Sequence, residues 1–194
     1  KNIIVATKSK KMKMIIIEEL APVHPNSKVV TKPHGISSTN TEKINFSSQI
    51  ITNSIEIKKS FVTKDKYEKQ LRKGLNFGHT IGHAIETFFM STSNNLLHGE
   101  SIAIGLIIES YISNVICGFE IKMVDKIKNH LLKIFPKIEF NASSINSIIK
   151  LMYHDKKNID EKIKFVLLKN IGDLVFDVDV PKSTIIRGFN YYRS

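Results

Sequence analysis

The stretch Glu100–Cys117 restricts the fold more than any other. Ile102, Ile104, Leu106, Ile107, Ile108, Tyr111, Ile112 and Val115 fall on every side of a helix rather than along one stripe. A helix apolar all round must be enclosed by other elements, so this run is expected at the centre of a bundle. Its neighbours supply the covering layers. Ile44, Ile51, Ile55 and Val62 mark a long amphipathic stripe ending near Thr63, with Ser38, Thr39 and Thr41 as candidate N-caps. A charged link, Lys64–Lys73, precedes a helix from Asn76 to about Met90, and Ser91–Asn95 reads as polar loop. Lys122–Phe135 is an amphipathic helix stopped by Pro136, and Ser143–Tyr153 is another. Strand signals come late: Ile163–Leu168 and Asp173–Val178, joined by a Lys169–Gly172 turn, predict a hairpin. Pro181 then opens a last helix. The expected class is mainly α, a helical bundle with a small β-hairpin near the C terminus.

Residues 1–35 read differently from 36–194, which divides the chain into an atypical N-terminal segment and a helical domain. Asn2–Ala6 suggests a short strand and Met12–Leu20 a short helix, while Pro22, Pro25 and Pro33 make Ala21–Gly35 a loop. No glycine precedes Gly35. A phosphate-cradling loop needs glycines for close backbone approach, so neither a Rossmann turn nor a Walker loop is expected there. The net charge of +11 suggests an anionic partner. Yet seven lysines against Glu18 and Glu19 crowd residues 1–35, and beyond them the lysines stand singly among Ile, Asn and Ser. Without an Arg-rich block or interleaved aromatics, a nucleic-acid partner is not expected, and an anionic small molecule is. No apolar run is expected to reach the roughly 18 residues of a membrane-spanning helix, and no secretory signal is read at the start. A lone cysteine, Cys117, fits a reducing cytoplasm.

The chemistry concentrates in LNFGHTIGHAIE (Leu75–Glu86) and LLHGE (Leu96–Glu100). His79 and His83 are four residues apart, about one helical turn, so both rings project from one face. His98 follows a loop that can fold it back toward them. Three imidazoles so placed suit zinc, whose catalytic sites use three protein ligands and an open position. The same spacing also occurs in satisfied core or surface histidines, and Gly78 and Gly82 equally allow tight helix contact.

These two segments closely resemble the signature of the 3-dehydroquinate synthase family, which belongs to the sugar-phosphate cyclases. SIEIKKSFVTKDKYEKQLRKG (Ser54–Gly74), LMYHDKKN and IKFVLLKNIGDLVFDV extend the resemblance from about Thr39 to the C terminus. It implies the C-terminal helical domain of an enzyme that converts 3-deoxy-D-arabino-heptulosonate 7-phosphate to 3-dehydroquinate and phosphate, using NAD and a zinc or cobalt ion. It implies that His79 and His98 are metal ligands and that His83 lies in the substrate pocket. Lys58, Glu68, Arg72, Asn76 and Lys156 match active-site positions around the substrate, with Lys157 hardly separable from Lys156. A cytoplasmic homo-oligomer acting on an anionic sugar phosphate, with no nucleic acid and no membrane, is implied for the full-length enzyme. Each residue also has a plainer reading: Lys58 on a solvated helix face, Glu68 and Arg72 an (i, i+4) surface pair, Asn76 an N-cap.

Two departures qualify the resemblance. The family carries an N-terminal domain with a glycine-rich NAD site, which is not recognisable here, so the chain reads as a fragment inactive alone, with an exposed apolar face where that domain would pack. The family's third metal ligand is a glutamate, and the surroundings of Glu18 and Glu19 do not match its segment. Another sugar-phosphate cyclase, or a non-catalytic folded remnant, are the alternatives.

Overall fold

A computed structural model describes residues 3–5, 15–17, 48–69, 71–92, 96–155 and 163–194. Six helices and two small antiparallel sheets make up this part of the chain. The helices are α1 (Ser48–Lys64), α2 (His79–Met90), α3 (His98–Cys117), α4 (Ile121–Ile134), α5 (Ala142–Asp155) and α6 (Lys182–Arg193). Strands β1 (Ile3–Val5) and β2 (Ile15–Ile17) pair with each other, and β3 (Lys164–Asn170) pairs with β4 (Asp173–Asp179). A 3-10 helix, Leu71–Asn76, joins α1 to α2.

Helix α3 is the centre, as its composition demands. It packs against α2, α4, α6 and β3. Ile102, Leu106, Ile108 and Ile112 are at most 1% exposed although they point in different directions. By length and composition α3 could cross a membrane, contrary to the expectation that no run would be long enough, but 67% of the window that passes that test is buried inside the fold. A carboxylate, Glu109, sits fully buried in its middle. Gly118 (φ 75°) ends it, and the N–H groups of Gly118 and Phe119 return to the carbonyls of Asn114 and Ser113.

The covering elements follow their patterns. Helix α4 buries Val124, Ile127 and Leu131, one stripe at helical spacing. Strand β3 buries Phe165, Val166, Leu167 and Leu168 consecutively, as a strand covered on both faces does. It is pinned to α3 by a polar tie, in which Leu168 N–H donates to Ser113 Oγ (3.0 Å) and that hydroxyl donates to the Glu109 carbonyl (2.7 Å). The mainly helical class with a C-terminal hairpin is therefore the observed one.

Local differences from the sequence reading have local causes. Ile15–Ile17 is strand, not helix: three successive β-branched residues favour extended backbone. The link before α2 contains the 3-10 helix, and α2 begins at His79 rather than Asn76. Helix α3 begins two residues early, at His98, because the Glu100 carboxylate accepts from Leu97 N–H (2.8 Å) and closes its first turn. Ser38, Thr39 and Thr41 lie outside the described residues.

Candidate metal centre and substrate cleft

Helices α2 and α3 approach until their backbones touch. A Cβ on Gly105 would lie 2.0 Å from the Gly78 carbonyl oxygen and 2.8 Å from Gly82 N, and one on Gly82 would lie 3.0 Å from the Cα of Ile102. Gly78 also adopts φ 81°, the left-handed region that a side chain disfavours. It offers α2 no capping side chain, so the first amides of that helix need another acceptor. Glu109 supplies it from α3: its carboxylate accepts from Gly78 N–H (2.6 Å) and Ile81 N–H (3.0 Å). A buried anion at the positive end of α2 is electrostatically favourable as well as hydrogen-bonded.

This seating fixes the histidines. His79, 5% exposed, turns Nδ1 to the Phe77 carbonyl at 3.2 Å. A carbonyl can only accept, so in the neutral ring Nδ1 carries the proton and Nε2 presents a lone pair. His83 lies one turn on and is exposed. His98, first residue of α3, turns Nδ1 to Glu86 Oε2 at 2.8 Å, which leaves its Nε2 buried with no partner among the protein's own groups. The ring centroids lie 5.3 Å (His79–His83), 5.6 Å (His83–His98) and 6.0 Å (His79–His98) apart. One nitrogen from each ring falls within 4.8 Å of the others. Imidazole suits zinc, cobalt and similar ions, and the orphaned Nε2 is the lone pair such an ion would satisfy. The residues fit a divalent metal.

The triangle borders a cleft of about 1050 Å³. Glu68, Lys73 and Asn76 come to it from the loop and 3-10 helix, His79, His83 and Glu86 from α2, Lys164 and Asp177 from the hairpin. Asn76 Nδ2 donates to Glu68 Oε1 (2.9 Å), and Arg72 Nε lies 3.6 Å from Glu68 Oε2. Lys73 Nζ reaches Asp177 Oδ2 on β4 at 2.6 Å. Glu68 (φ 55°) and Asp177 (φ 56°) are the two non-glycine residues with positive φ among the described residues, and both line the cleft.

Of the residues singled out in the sequence, Glu68, Asn76, His79 and His83 share the cleft, and His98 completes the triangle behind it. Arg72 is not a lining residue: besides Glu68 it engages the Lys66 carbonyl (3.1 Å) and, through its own N–H, Asp65 (3.0 Å). Lys58, half-buried on α1, does not line the cleft either. Lys156 and Lys157 lie outside the described residues. Asn76 caps no helix, since it closes the 3-10 helix and holds Glu68. Sequence reasoning missed Glu86, Glu109, Lys73 and Asp177. Glu86 was findable three residues after His83 on the same face, and Glu109 as the one carboxylate inside an apolar helix, which must be partnered. Lys73 and Asp177 are 104 residues apart and carry no local signal.

The family model described as 3-dehydroquinate synthase C-terminal matches residues 24–158. The chain belongs to the 3-dehydroquinate synthase C-terminal family. Among curated members, it is 34% identical over 153 residues to the 3-dehydroquinate synthase of Parabacteroides distasonis, covering 79% of this chain and 43% of that one. It is 41% identical over 139 residues to the enzyme of Picrophilus torridus, covering 71% and 40%. The chain thus spans about two fifths of the length of these relatives. Among solved structures, 2-deoxy-scyllo-inosose synthase complexed with carbaglucose-6-phosphate, NAD+ and Co2+ superposes with a TM-score of 0.61 at 28% identity, over 73% of this chain and 39% of that one. ValA, the 2-epi-5-epi-valiolone synthase of Streptomyces hygroscopicus subsp. jinggangensis, shares the fold with a TM-score of 0.60 at 18% identity, over 75% and 39%.

Proposed function

We propose that this chain is the metal- and substrate-binding part of a 3-dehydroquinate synthase, a phosphate-eliminating lyase that acts on 3-deoxy-D-arabino-heptulosonate 7-phosphate. The observation that carries this reading is the orphaned, buried Nε2 of His98 in a histidine triangle beside an acid- and amide-lined cleft. His79 and His98, whose Nδ1 atoms are engaged by Phe77 and Glu86, would hold zinc or cobalt through Nε2. When bound, the ion would polarise a substrate oxygen as a Lewis acid and acidify the neighbouring C–H. His83, exposed toward the cleft, is suited to carry a proton, because imidazole titrates near neutrality. Glu68 and Asn76, locked together, present a fixed acceptor and donor to hydroxyl groups. Lys73, lining the cleft, and Arg72, paired with Glu68, supply positive charge for a substrate bearing a carboxylate and a phosphate. Lys58 and Lys156 are assigned substrate contacts on the family match alone.

No glycine among the described residues stands in a strand-to-helix turn, so these residues offer NAD no cradle. Residues 36–194 form the functional unit in this reading, and it turns over only with an NAD-binding half, in a cytoplasmic homo-oligomer. The test is phosphate release from the heptulosonate phosphate, with zinc and NAD in excess, before and after adding a separately expressed NAD-binding half. Turnover is expected only after addition and is expected to vanish in His98→Ala. Turnover on a different ketose phosphate alone would favour a related cyclase, the second reading that the 28% identity to 2-deoxy-scyllo-inosose synthase supports.

A further inference from the structure

Glu86 has no role in the functional reading drawn from the sequence, yet it occupies a telling position. Its carboxylate lines the cleft and takes the Nδ1 of His98 at 2.8 Å, across twelve residues of chain. The two side chains are 27% and 17% exposed. A single side-chain hydrogen bond that is still partly open to solvent contributes little to stability, so holding the fold together is a poor account of it. The burial of His98 Nε2 without a partner is the second observation. A ring free to rotate or to change tautomer could satisfy that nitrogen or place an N–H there. In the neutral ring the carboxylate prevents both, since it holds the single ring proton on Nδ1.

We propose that Glu86 is the positioning residue of the metal centre: it holds His98 in the Nδ1–H tautomer with the Nε2 lone pair aimed into the histidine triangle. The inference rests on the metal reading above and adds to it a residue that touches no metal. The His79 and His98 rings are oriented by different means. His79 leans on the Phe77 carbonyl, a backbone group that side-chain substitution leaves in place, whereas His98 leans on a side chain that substitution removes. A carboxylate also makes the imidazole a stronger donor than a carbonyl does, so His98 is the ring whose affinity is tuned.

The test begins on the metal-free full chain with nitrogen-15-labelled histidine. Two-bond nitrogen–proton NMR spectra are expected to show His98 as the Nδ1–H tautomer, to keep it in Glu86→Gln, whose amide oxygen still accepts, and to lose it to a mixture in Glu86→Ala. Zinc affinity, read by competition with a chromophoric chelator, is expected to fall about 10- to 100-fold in Glu86→Ala and less in Glu86→Gln. A Nε2–H tautomer in the unsubstituted chain, or an unchanged tautomer together with zinc affinity within about twofold in Glu86→Ala, would overturn the proposal. If Glu86→Ala does not fold, Glu86→Leu, which keeps the bulk and removes the acceptor, decides: loss of the Nδ1–H tautomer with a several-fold loss of zinc affinity supports it, and an unchanged tautomer with unchanged affinity refutes it. Should no form of the chain take up zinc, the metal reading fails, while the tautomer spectra still judge the role of Glu86.

Discussion

On the α2–α3 side of the cleft, main chain meets main chain, and the N-terminal end of α2 is satisfied by a buried carboxylate from α3. On the opposite side, the 3-10 helix meets the hairpin through the partly exposed pair Lys73–Asp177 and the preceding loop through Arg72–Glu68. That side also holds both non-glycine residues in the left-handed region among those described. The contrast separates two requirements. Under the proposed function, metal-binding histidines must be held to a fraction of an ångström, which glycine contacts and a buried cap provide. A surface that receives a charged substrate must exchange its own charge pairs for the substrate's, which solvated side chains can do at small cost. Backbone strain gathered on that side is characteristic of a working surface.

The comparison can be broken at its strongest point first. Gly105→Ala places a methyl group inside the Gly78 carbonyl, and a loss of about 3 kcal/mol or more is expected in urea unfolding, together with loss of zinc binding. Glu109→Leu strands two buried amides and is expected to cost about 2–3 kcal/mol by the same measurement, with weakened zinc binding because α2 loses its seat. On the other wall, Lys73→Ala should cost under about 1 kcal/mol yet weaken binding of an anionic sugar phosphate, readable by calorimetry. A stability loss as large as that of Glu109→Leu would erase the distinction between the walls. Asp177→Gly removes the same pair but frees a positive φ, so its stability should stay within about 1 kcal/mol of the parent. The smallest effect lies away from both walls. Burial, then Lys133, holds the His130 imidazole below its ordinary range. The unfolded chain therefore binds more protons there, and this contribution to stability, full above about pH 6.5, declines as the pH falls below it. Melting temperatures at pH 7.5 and 5.5 should differ slightly less in His130→Gln than in the parent.

What the sequence disclosed divides along the same line. The all-apolar run that became α3, the hairpin and the His79–His83 face were legible because periodicity within one segment determines them. Gly78 and Gly82 allow the tight helix contact expected of them. The partner of Glu109, the need for Gly105 to be a glycine and the Lys73–Asp177 pair were illegible, since each is a relation between segments 23 to 104 residues apart. Ile15–Ile17 is strand where a helix was expected, because three successive β-branched residues favour extended backbone.

Glu109 also gives the site a history. It grips main-chain amides 28 and 31 positions earlier in the chain. During synthesis His79 and His83 therefore leave the ribosome well before the carboxylate that seats their helix. Until the second half of α3 has followed, the two rings belong to a helix without a fixed place. A nascent chain that meets zinc in that interval meets loose imidazoles, not the finished triangle.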